Sequence, residues 1–416
     1  MNSQYCTALS ERQTVILALA QISGVYDLER YLNIRSATGA TLGPDGQLAF
    51  RMNTTGTFQL WSVDEPGGWS QQRTFYEDSV SFASYSPERP ELIFGKDEGG
   101  NERLQLFRLD ADGQITPLTD RPDAKHRWGG WSHDGERFAF ASNRRDESVF
   151  DIYVQGRDED EATLVHEGGG WLTVGGWSPD DSKLLVGEAH SNVDQDLSVL
   201  DIESGDFDHL TPHDGDVRYG SAQWAPDGDG VYLVTDSDAD LRWLARLDLD
   251  GTLREVVSDD DWNVDGVSVD VDTGRLAYSR NVDGYTDLTV GRLTDETTIE
   301  AFPTPDLPGG IAGGVSWGPD ADRFAVTVTG RTVNTNVFVV ETETGEATRW
   351  THASTAGIPD STFVSPELVH YETFDGREIP AFFSLPPAEV RDDDGVPVIV
   401  DIHGGPESQR RPSFSG

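Results

Sequence analysis

The sequence predicts a mainly β fold, in which a seven-bladed β-propeller makes up most of the 416 residues. Three observations support this prediction. A turn motif recurs at a nearly constant interval, apolar strands follow each copy, and an aromatic residue precedes most copies. Repeats of this size, with four short strands each, close into a propeller that leaves no long sheet edge exposed.

The recurring motif is a Pro-Asp-Gly-like turn that leads into an apolar strand. Proline presets φ at the first corner of such a turn, and glycine accepts the positive φ of the next corner. The marker residue recurs at intervals of 43, 46, 46, 47, 45 and 48 residues, which is a propeller-sized period. The marker positions are Pro44, Pro87, His133, Pro179, Pro226, Val271 and Pro319.

A second apolar strand follows each copy and ends near an acidic residue or a glycine. Its alternation of apolar and polar residues is typical of half-buried antiparallel strands. The pattern leaves the strand order within a blade and the closure of the ring open. Examples of these second strands are 104–110, 151–154, 196–201 and 337–340.

Tryptophans occupy the aromatic position of several copies, namely Trp131, Trp177, Trp224 and Trp317. A ligand-binding aromatic box is one interpretation of this set. Their identical place in each repeat favours the other interpretation, in which each tryptophan packs between neighbouring blades.

The residue patterns change along the chain and predict three regions. Residues 1–38 form an N-terminal segment with a short helix, because Asp27 to Ile34 has apolar residues at helical spacing behind an acid. Residues 39–363 form the seven-bladed propeller, and residues 364–416 form a separate C-terminal piece.

The C-terminal piece combines a hairpin, an acidic loop and a strand. An Asp375-Gly376 turn between two apolar runs predicts a β-hairpin. The aspartates 392–394 lack the spacing of a calcium-binding loop, so a solvated loop is favoured over a metal site. The β-branched run Val398–Ile402 predicts a buried strand, and it leads directly into His403-Gly404-Gly405-Pro406.

A His-Gly-Gly-Pro loop after a buried strand is the kind of loop that builds part of an oxyanion hole in α/β-hydrolases. The two glycines allow a sharp turn, so that backbone N–H groups can point at developing negative charge. The fold class is therefore a seven-bladed β-propeller followed by a truncated N-terminal piece of an α/β-hydrolase domain, which residues 364–416 begin.

The repeats, the Phe374-Asp-Gly-x-x-Ile-Pro-Ala hairpin and the His-Gly-Gly-Pro strand end together resemble the prolyl oligopeptidase family of serine peptidases. The acylaminoacyl-peptidase and dipeptidyl-peptidase-like members are the most similar. The resemblance is weak through the repeats and specific over residues 368–409. It implies an α/β-hydrolase domain with a Ser-Asp-His triad, and a propeller that caps the site and admits only short peptides.

The resemblance also assigns roles to four residues of the loop. Gly404 and Gly405 correspond to the oxyanion loop, with the Gly405 N–H as the preferred donor, whereas His403 and Pro406 shape the loop. His403 is not expected to be the general base. Neither a metal nor a cofactor is implied, and no histidine pair has metal-ligand spacing. The implied partners are short peptides and, if the gene is split, the downstream hydrolase half in trans.

No serine elbow, acid or base histidine follows the oxyanion loop before Gly416, so we expect residues 1–416 alone to be inactive. Gly314-Val-Ser316-Trp-Gly318 matches Gly-x-Ser-x-Gly, but it precedes the loop and lies inside the seventh repeat. Two hypotheses follow. The chain is either the cap and oxyanion-loop portion of a serine peptidase for short peptides, or a non-catalytic propeller that serves as a binding scaffold.

Acidic residues outnumber basic ones by 74 to 31, which gives a formal net charge of −43. The acids are spread along the chain, which favours adaptation to multimolar salt over an acidic partner-binding tail. Such a surface excludes nucleic acid, whose phosphates need basic patches.

The cellular setting is predicted from cysteine use and hydropathy. Cys6 is the only cysteine, so the sequence gives no sign of an oxidising compartment. The apolar stretch Val15–Ala20 is too short to span a bilayer, so no membrane partner is expected. The sequence therefore predicts a cytoplasmic protein.

Overall fold

The computed structural model describes residues 26–386, 388, 391, 396–405 and 408–415. Seven four-stranded antiparallel sheets follow one another in chain order, and a two-stranded hairpin comes after them. The predicted seven-bladed β-propeller is therefore confirmed. Cys6, the stretch 15–20, the aspartates 392–394 and Pro406 lie outside the described residues.

Each blade consists of four consecutive strands, from the innermost to the outermost. Blade one holds β1 to β4, at Ala37–Leu42, Leu48–Met52, Gln59–Val63 and Gln71–Gln72. Blade two holds β5 to β8, at Val80–Tyr85, Leu92–Lys96, Gln105–Leu109 and Ile115–Pro117. Blade three holds β9 to β12, at His126–Trp131, Arg137–Ser142, Asp151–Gly156 and Thr163–His166.

The remaining blades repeat the same order. Blade four holds β13 to β16, at Leu172–Trp177, Lys183–Ala189, Gln195–Asp201 and Phe207–His209. Blade five holds β17 to β20, at Tyr219–Trp224, Gly230–Thr235, Trp243–Asp248 and Leu253–Val257. Blade six holds β21 to β24, at Val264–Val269, Arg275–Val282, Tyr285–Leu293 and Ile299–Ala301. Blade seven holds β25 to β28, at Ile311–Trp317, Arg323–Gly330, Val333–Glu341 and Ala347–Arg349.

Helical structure is sparse in the described residues. Helix α1, Leu28–Leu32, precedes blade one, where a helix is expected from the sequence, and a single 3₁₀ turn spans Asp360–Thr362. No helix in the described part of the chain is long and apolar enough to cross a membrane.

The innermost strand of every blade carries a register irregularity against its neighbour. Gly130 and Gly176 lie at two of these bulges with φ of 126° and 134°, values that only glycine adopts readily. A bulge increases the local twist and bends the strand. The seven bulges thus fit the inner strands to the narrow centre of the ring.

The hydrophobic core is divided among the interfaces between blades. Seven clusters of buried side chains are present, and each joins a blade to its neighbour. In the cluster between blades three and four, for example, Ile152 and Leu184 are fully buried. Because each blade has apolar residues on both faces, no blade can bury them alone, and the ring is the unit of stability.

The ring closes without exchanging strands. All four strands of blade seven are consecutive in the chain, and β1 packs against that blade from the other side of the seam. The Leu42 N–H donates to the Ser316 hydroxyl over 3.3 Å, and the Asn334 side-chain amide donates to the Arg35 carbonyl over 2.9 Å. Side-chain packing and isolated hydrogen bonds, not a shared sheet, therefore hold the seam.

The predicted hairpin is present as β29, Glu367–Glu372, and β30, Glu378–Phe383. Gly376 has a φ of 82° in its turn, as the Asp-Gly pair requires. The hairpin rests on blade six, where the Phe382 ring meets the ring of Tyr285, the first residue of β23, edge-on at 5.8 Å. This packing half-buries part of the hairpin, including Phe382, but none of its strand residues is fully buried.

The predicted buried strand at Val398–Ile402 is wrong for this structure. These residues do not pair as a strand, and the side chains of Val398, Ile399 and Ile402 are 80%, 92% and 80% exposed. A strand needs a neighbour for its backbone hydrogen bonds, and no described strand lies beside this segment. The apolar pattern alone could not reveal that the neighbouring strand is missing.

Candidate functional site

The candidate site is a polar cavity of about 860 Å³ between the propeller and the His-Gly-Gly loop. Blades four, five and six supply one wall, and Gly405 lies on the other side. The structure thus brings the preferred oxyanion donor of the sequence analysis against the face of the propeller. The lining residues used below are Asn192, Gln195, Arg218, Asp236, Asp240, Arg242 and Asp265.

The His-Gly-Gly loop has the backbone freedom that a sharp turn needs. Gly405 has a φ of 148°, in a region that side-chain-bearing residues rarely adopt, whereas a Cβ at Gly404 would meet open space. His403 is exposed, and its Nδ1–H donates to the Gly404 carbonyl over 2.9 Å. This bond stays within the loop, which agrees with a shaping role for His403.

Blade five places an ion pair in the cavity wall. The Asp236 carboxylate accepts a hydrogen bond of 2.8 Å from the Arg218 backbone N–H and one of 2.7 Å from Arg218 Nη1. Asp236 directly follows the second strand of its blade. Asn53 and Asn143 have the same place in blades one and three, where each accepts a backbone N–H in the same way. In blade five this structural position carries a charge.

A second ion pair joins blades five and six. Arg242 Nη2 donates to Asp265 Oδ1 over 2.7 Å, and the Arg242 backbone N–H donates to the Asn263 side-chain oxygen over 2.8 Å. Asp240 is exposed and takes part in none of the ion pairs between described residues. The wall therefore presents two guanidinium groups and three carboxylates, a lining suited to a polar ligand with both charges.

A cluster of histidines and aspartates supports the loop that carries Asn192. Asp196 accepts from His190 Nε2 over 2.9 Å and from His209 Nε2 over 2.8 Å, and His213 Nε2 pairs with Asp194 over 2.9 Å.

These contacts shift three pKa values within the cluster. The hydrogen bond with Asp196 raises the pKa of His190, and the bond to the Thr211 carbonyl together with Asp194 raises that of His213. Burial alone would raise the pKa of Asp196, but its bonds with His190 and His209 leave it lowered.

Other residues considered in the sequence analysis lie away from the cavity wall. Ser316 is in strand β25 and accepts the seam hydrogen bond from Leu42, so it is not in a strand-to-helix elbow. His133 pairs with Asp181 of blade four over 2.8 Å, and His370 lies 3.8 Å from Asp283. Among the residues that the structure describes, no group of three or more His, Cys, Asp or Glu side chains could hold a metal ion.

Sequence reasoning missed the charged residues of the cavity wall. Arg218, Asp236 and Arg242 lie at strand ends, in turns that have no catalytic motif. Aligning the repeats would have shown that Asp236 takes the place of Asn53 and Asn143. The pairing of Arg242 with Asp265 depends on how neighbouring blades meet, and no sequence signal reports it.

The chain is similar to one peptidase in sequence and to two solved structures in fold. No family profile matches the chain. Dipeptidyl-peptidase 5 of Porphyromonas gingivalis is 24% identical over 268 residues, which cover 51% of this chain and 39% of that protein. A structure from a study of two prolyl endopeptidases superposes with a TM-score of 0.69 at 18% identity. The crystal structure of puromycin hydrolase superposes with a TM-score of 0.73 at 15% identity.

The shared part of these structures extends over nearly the whole chain. The superpositions cover 92% and 93% of it, but only 59% and 65% of the two structures. The fold that the chain shares with them is the seven-bladed propeller, and the chain spans only part of their length. The propeller is therefore similar in fold to the propellers of these two structures, and over half of its sequence it is similar to dipeptidyl-peptidase 5.

Proposed function

We propose that this chain is the propeller cap and oxyanion-loop portion of a serine peptidase that hydrolyses short peptides, of the aminopeptidase or acylaminoacyl-peptidase type. The observation that carries the proposal is the position of Gly405, which lines one cavity together with charged residues of blades four, five and six. Under this proposal residues 1–38 lead into the propeller of residues 39–363, and residues 364–416 begin the hydrolase domain.

The lining of the cavity supports a peptide as the ligand. A peptide presents carbonyl and carboxylate oxygens, which guanidinium groups such as Arg218 and Arg242 can bind. It also presents N–H groups and, at its start, an ammonium group, for which Asp240 is available. Under this proposal the propeller caps the site and limits the size of what enters, so short peptides are the expected substrates.

The proposed chemistry is acyl transfer through a serine ester. The serine attacks the peptide carbonyl, the leaving amine takes a proton, and water then hydrolyses the ester. The Gly405 N–H, with Gly404 beside it, would hold the negative oxygen of each tetrahedral intermediate. The triad itself would come from the remainder of the hydrolase domain, either in one polypeptide with this chain or in trans.

The proposal places the peptidase in the cytoplasm. Its support is Cys6, the single cysteine of a 416-residue chain, since secreted proteins often rely on disulfides.

A fluorophosphonate probe tests the proposal, because it labels only an activated serine. We expect no labelling of residues 1–416 alone, and labelling when they are joined to or mixed with the hydrolase domain. Absence of labelling in both forms would favour a binding scaffold instead. Labelling of residues 1–416 that disappears in Ser316→Ala would overturn the assignment of that serine to the propeller seam.

The two glycines of the loop provide a matched pair of variants for the active form. Gly405→Ala forces a side chain onto a φ of 148°, which shifts the backbone N–H away from the oxyanion, and kcat should fall toward the roughly 10²- to 10³-fold loss typical of a missing oxyanion donor. Gly404→Ala adds a methyl group where the structure has open space, so a much smaller loss is expected. Equal losses in the two variants would argue against Gly405 as the donor.

A further inference from the structure

Arg411 makes three hydrogen bonds that fasten the segment after the His-Gly-Gly loop to the propeller. Arg411 donates from Nε to the Gly284 carbonyl over 2.8 Å, from Nη1 to Asp265 Oδ2 over 3.0 Å, and from Nη2 to Thr286 Oγ1 over 3.0 Å. All three acceptors belong to blade six. The Arg411 side chain is half-buried, so these bonds are partly shielded from water.

Asp265 connects this anchor to the cavity. Its Oδ2 binds Arg411 and its Oδ1 binds Arg242, and Asp265, Arg242 and Gly405 all line the cavity. A carboxylate held by two guanidinium groups has both oxygens fixed in direction. The cavity wall and the segment carrying the loop are therefore joined through one side chain.

Contacts on either side of Arg411 hold the same segment. The Asn281 side-chain amide donates to Gln409 Oε1 over 2.7 Å, and the Phe414 N–H donates to Thr329 Oγ1 over 3.0 Å. The Phe414 ring also meets Phe363 edge-on at 5.0 Å. Only a few residues separate Gly405 from this anchored stretch, so the anchor limits how far the loop can move.

We infer that Asp265 and Arg411 are positioning residues, which set the place of the Gly405 N–H over the cavity by tying the segment after the loop to blade six. The inference rests on the proposed function, because the Gly405 N–H matters only if an oxyanion forms there. Neither residue would touch the reacting atoms. Their effect on the reaction would come through the geometry of the loop.

The first experiment measures the anchor without any activity. In residues 1–416, Arg411→Ala should raise amide hydrogen exchange at Ser413 and Phe414 by about tenfold or more, because their N–H groups bond to the Arg411 carbonyl and Thr329 Oγ1 only while the segment stays on blade six. Arg410→Ala is the matched control, because Arg410 binds only Asp401 among the described residues and is half-exposed. Unchanged exchange in Arg411→Ala, or an equal rise in Arg410→Ala, overturns the inference.

The second experiment measures catalysis in a polypeptide that joins these residues to the hydrolase domain. Arg411→Ala should lower kcat by about 10- to 100-fold with KM within about threefold, the loss expected from a displaced donor. Arg411→Lys should recover part of kcat, and Arg410→Ala should retain it. A rise in KM with kcat unchanged would mean that the arginine affects binding alone, which overturns the inference.

The two experiments distinguish a failure of the proposed function from a failure of the positioning role of Arg411. An inactive, unlabelled wild type contradicts the proposed function whatever the exchange data show. An active wild type with an unchanged kcat in Arg411→Ala contradicts only the positioning role. Circular dichroism melting of each variant shows whether the propeller itself is intact.

Discussion

The indole Nε1–H of Trp177 donates a hydrogen bond of 3.1 Å to the carbonyl of Gly130 in the preceding blade. Trp224 and Trp131 make the equivalent bonds to Gly176 and Ser84, over 3.2 and 3.4 Å. The acceptor of Trp177 lies at a bulge of the neighbouring inner strand, where the ladder leaves a carbonyl free. The prediction that the repeated tryptophans pack between blades is thus confirmed.

Replacing Trp177 by phenylalanine keeps most of the apolar packing and removes this hydrogen bond. The free energy of unfolding should fall by about 1 kcal/mol, since the Gly130 carbonyl loses the indole N–H that bonds to it. Denaturant unfolding followed by far-UV circular dichroism measures the change. Trp69→Phe is the control, because Trp69 is 92% exposed and should change stability by less than about 0.5 kcal/mol. Equal effects would contradict the interblade role.

A buried ion pair between blades two and three should contribute more than a surface pair. Arg157 donates to both oxygens of Glu91 over 2.6 Å, and the Glu91 side chain is 5% exposed. Glu91→Gln removes the buried charge partner of Arg157 and leaves it only the exposed Asp158, so we expect a loss of about 3 kcal/mol.

The exposed pair of Arg292 and Glu300, at 2.7 Å, supplies the comparison. Glu300→Gln should cost about 0 to 1 kcal/mol, because water and salt screen the exposed pair. Chemical denaturation of the two variants under the same conditions gives both numbers. A larger loss in Glu300→Gln than in Glu91→Gln would refute the expectation.

His126 should make the fold sensitive to acid. Burial lowers its pKa from 6.5 to about 4, although the hydrogen bond to the Leu104 carbonyl opposes the shift. Between about pH 6.5 and pH 4, His126 is protonated in the unfolded chain but neutral in the folded chain. The free energy of unfolding therefore falls as the pH drops through this range. The shift corresponds to a loss of about 3 kcal/mol.

The test compares the wild type with His126→Asn, which removes the titrating ring. As the pH falls through this range, the free energy of unfolding of the wild type should drop more than that of the variant. A difference that stays constant between pH 7 and pH 4 would show that His126 titrates normally.

The cluster around Asp196 should respond to pH in the opposite direction. The pKa of His190 is raised, so its contribution is fully present below the unfolded value and is lost as the pH rises through the folded value. Asp196→Asn removes the carboxylate that causes the shift, and the pKa of His190 should drop. Titration of the imidazole signals by NMR measures it, with His352 as a control ring, because burial rather than Asp196 sets its pKa.

The net charge of −43 predicts that the fold needs high ionic strength. Salt at about 1 M confines repulsion between carboxylates to roughly 3 Å, whereas dilute buffer leaves it unscreened over much longer distances. Far-UV circular dichroism across a salt titration should show loss of the β signal at low salt. A native signal and a cooperative melt in dilute buffer would rule out the adaptation to salt.

The repeats were sufficient to predict the propeller. A turn such as Trp177-Ser-Pro179-Asp180 is a local structure, because proline and a hydrogen-bonding acid specify it within four residues. Its constant interval gives the number of blades. The hairpin around Gly376 was predicted for the same reason, since an Asp-Gly pair encodes its turn locally.

The charged wall of the cavity could not be predicted in this way. Asp265 binds Arg242 and Arg411, which lie 23 and 146 residues away in the chain. Such pairs depend on the angle between neighbouring blades and on where the C-terminal segment packs against the propeller. The exposed state of Val398–Ile402 has the same origin, since a strand is formed by its neighbours as much as by its own residues.

The sequence by itself determined the number of blades, the inner tryptophans and the identity of the His403-Gly404-Gly405 loop, because each is encoded in a short stretch with its own turn chemistry. Only the tertiary structure decided that Gly405 faces blades four to six, and that Arg411 ties its segment to Asp265. Contacts between residues far apart in sequence fix these relationships, and their energies depend on the closed ring as a whole.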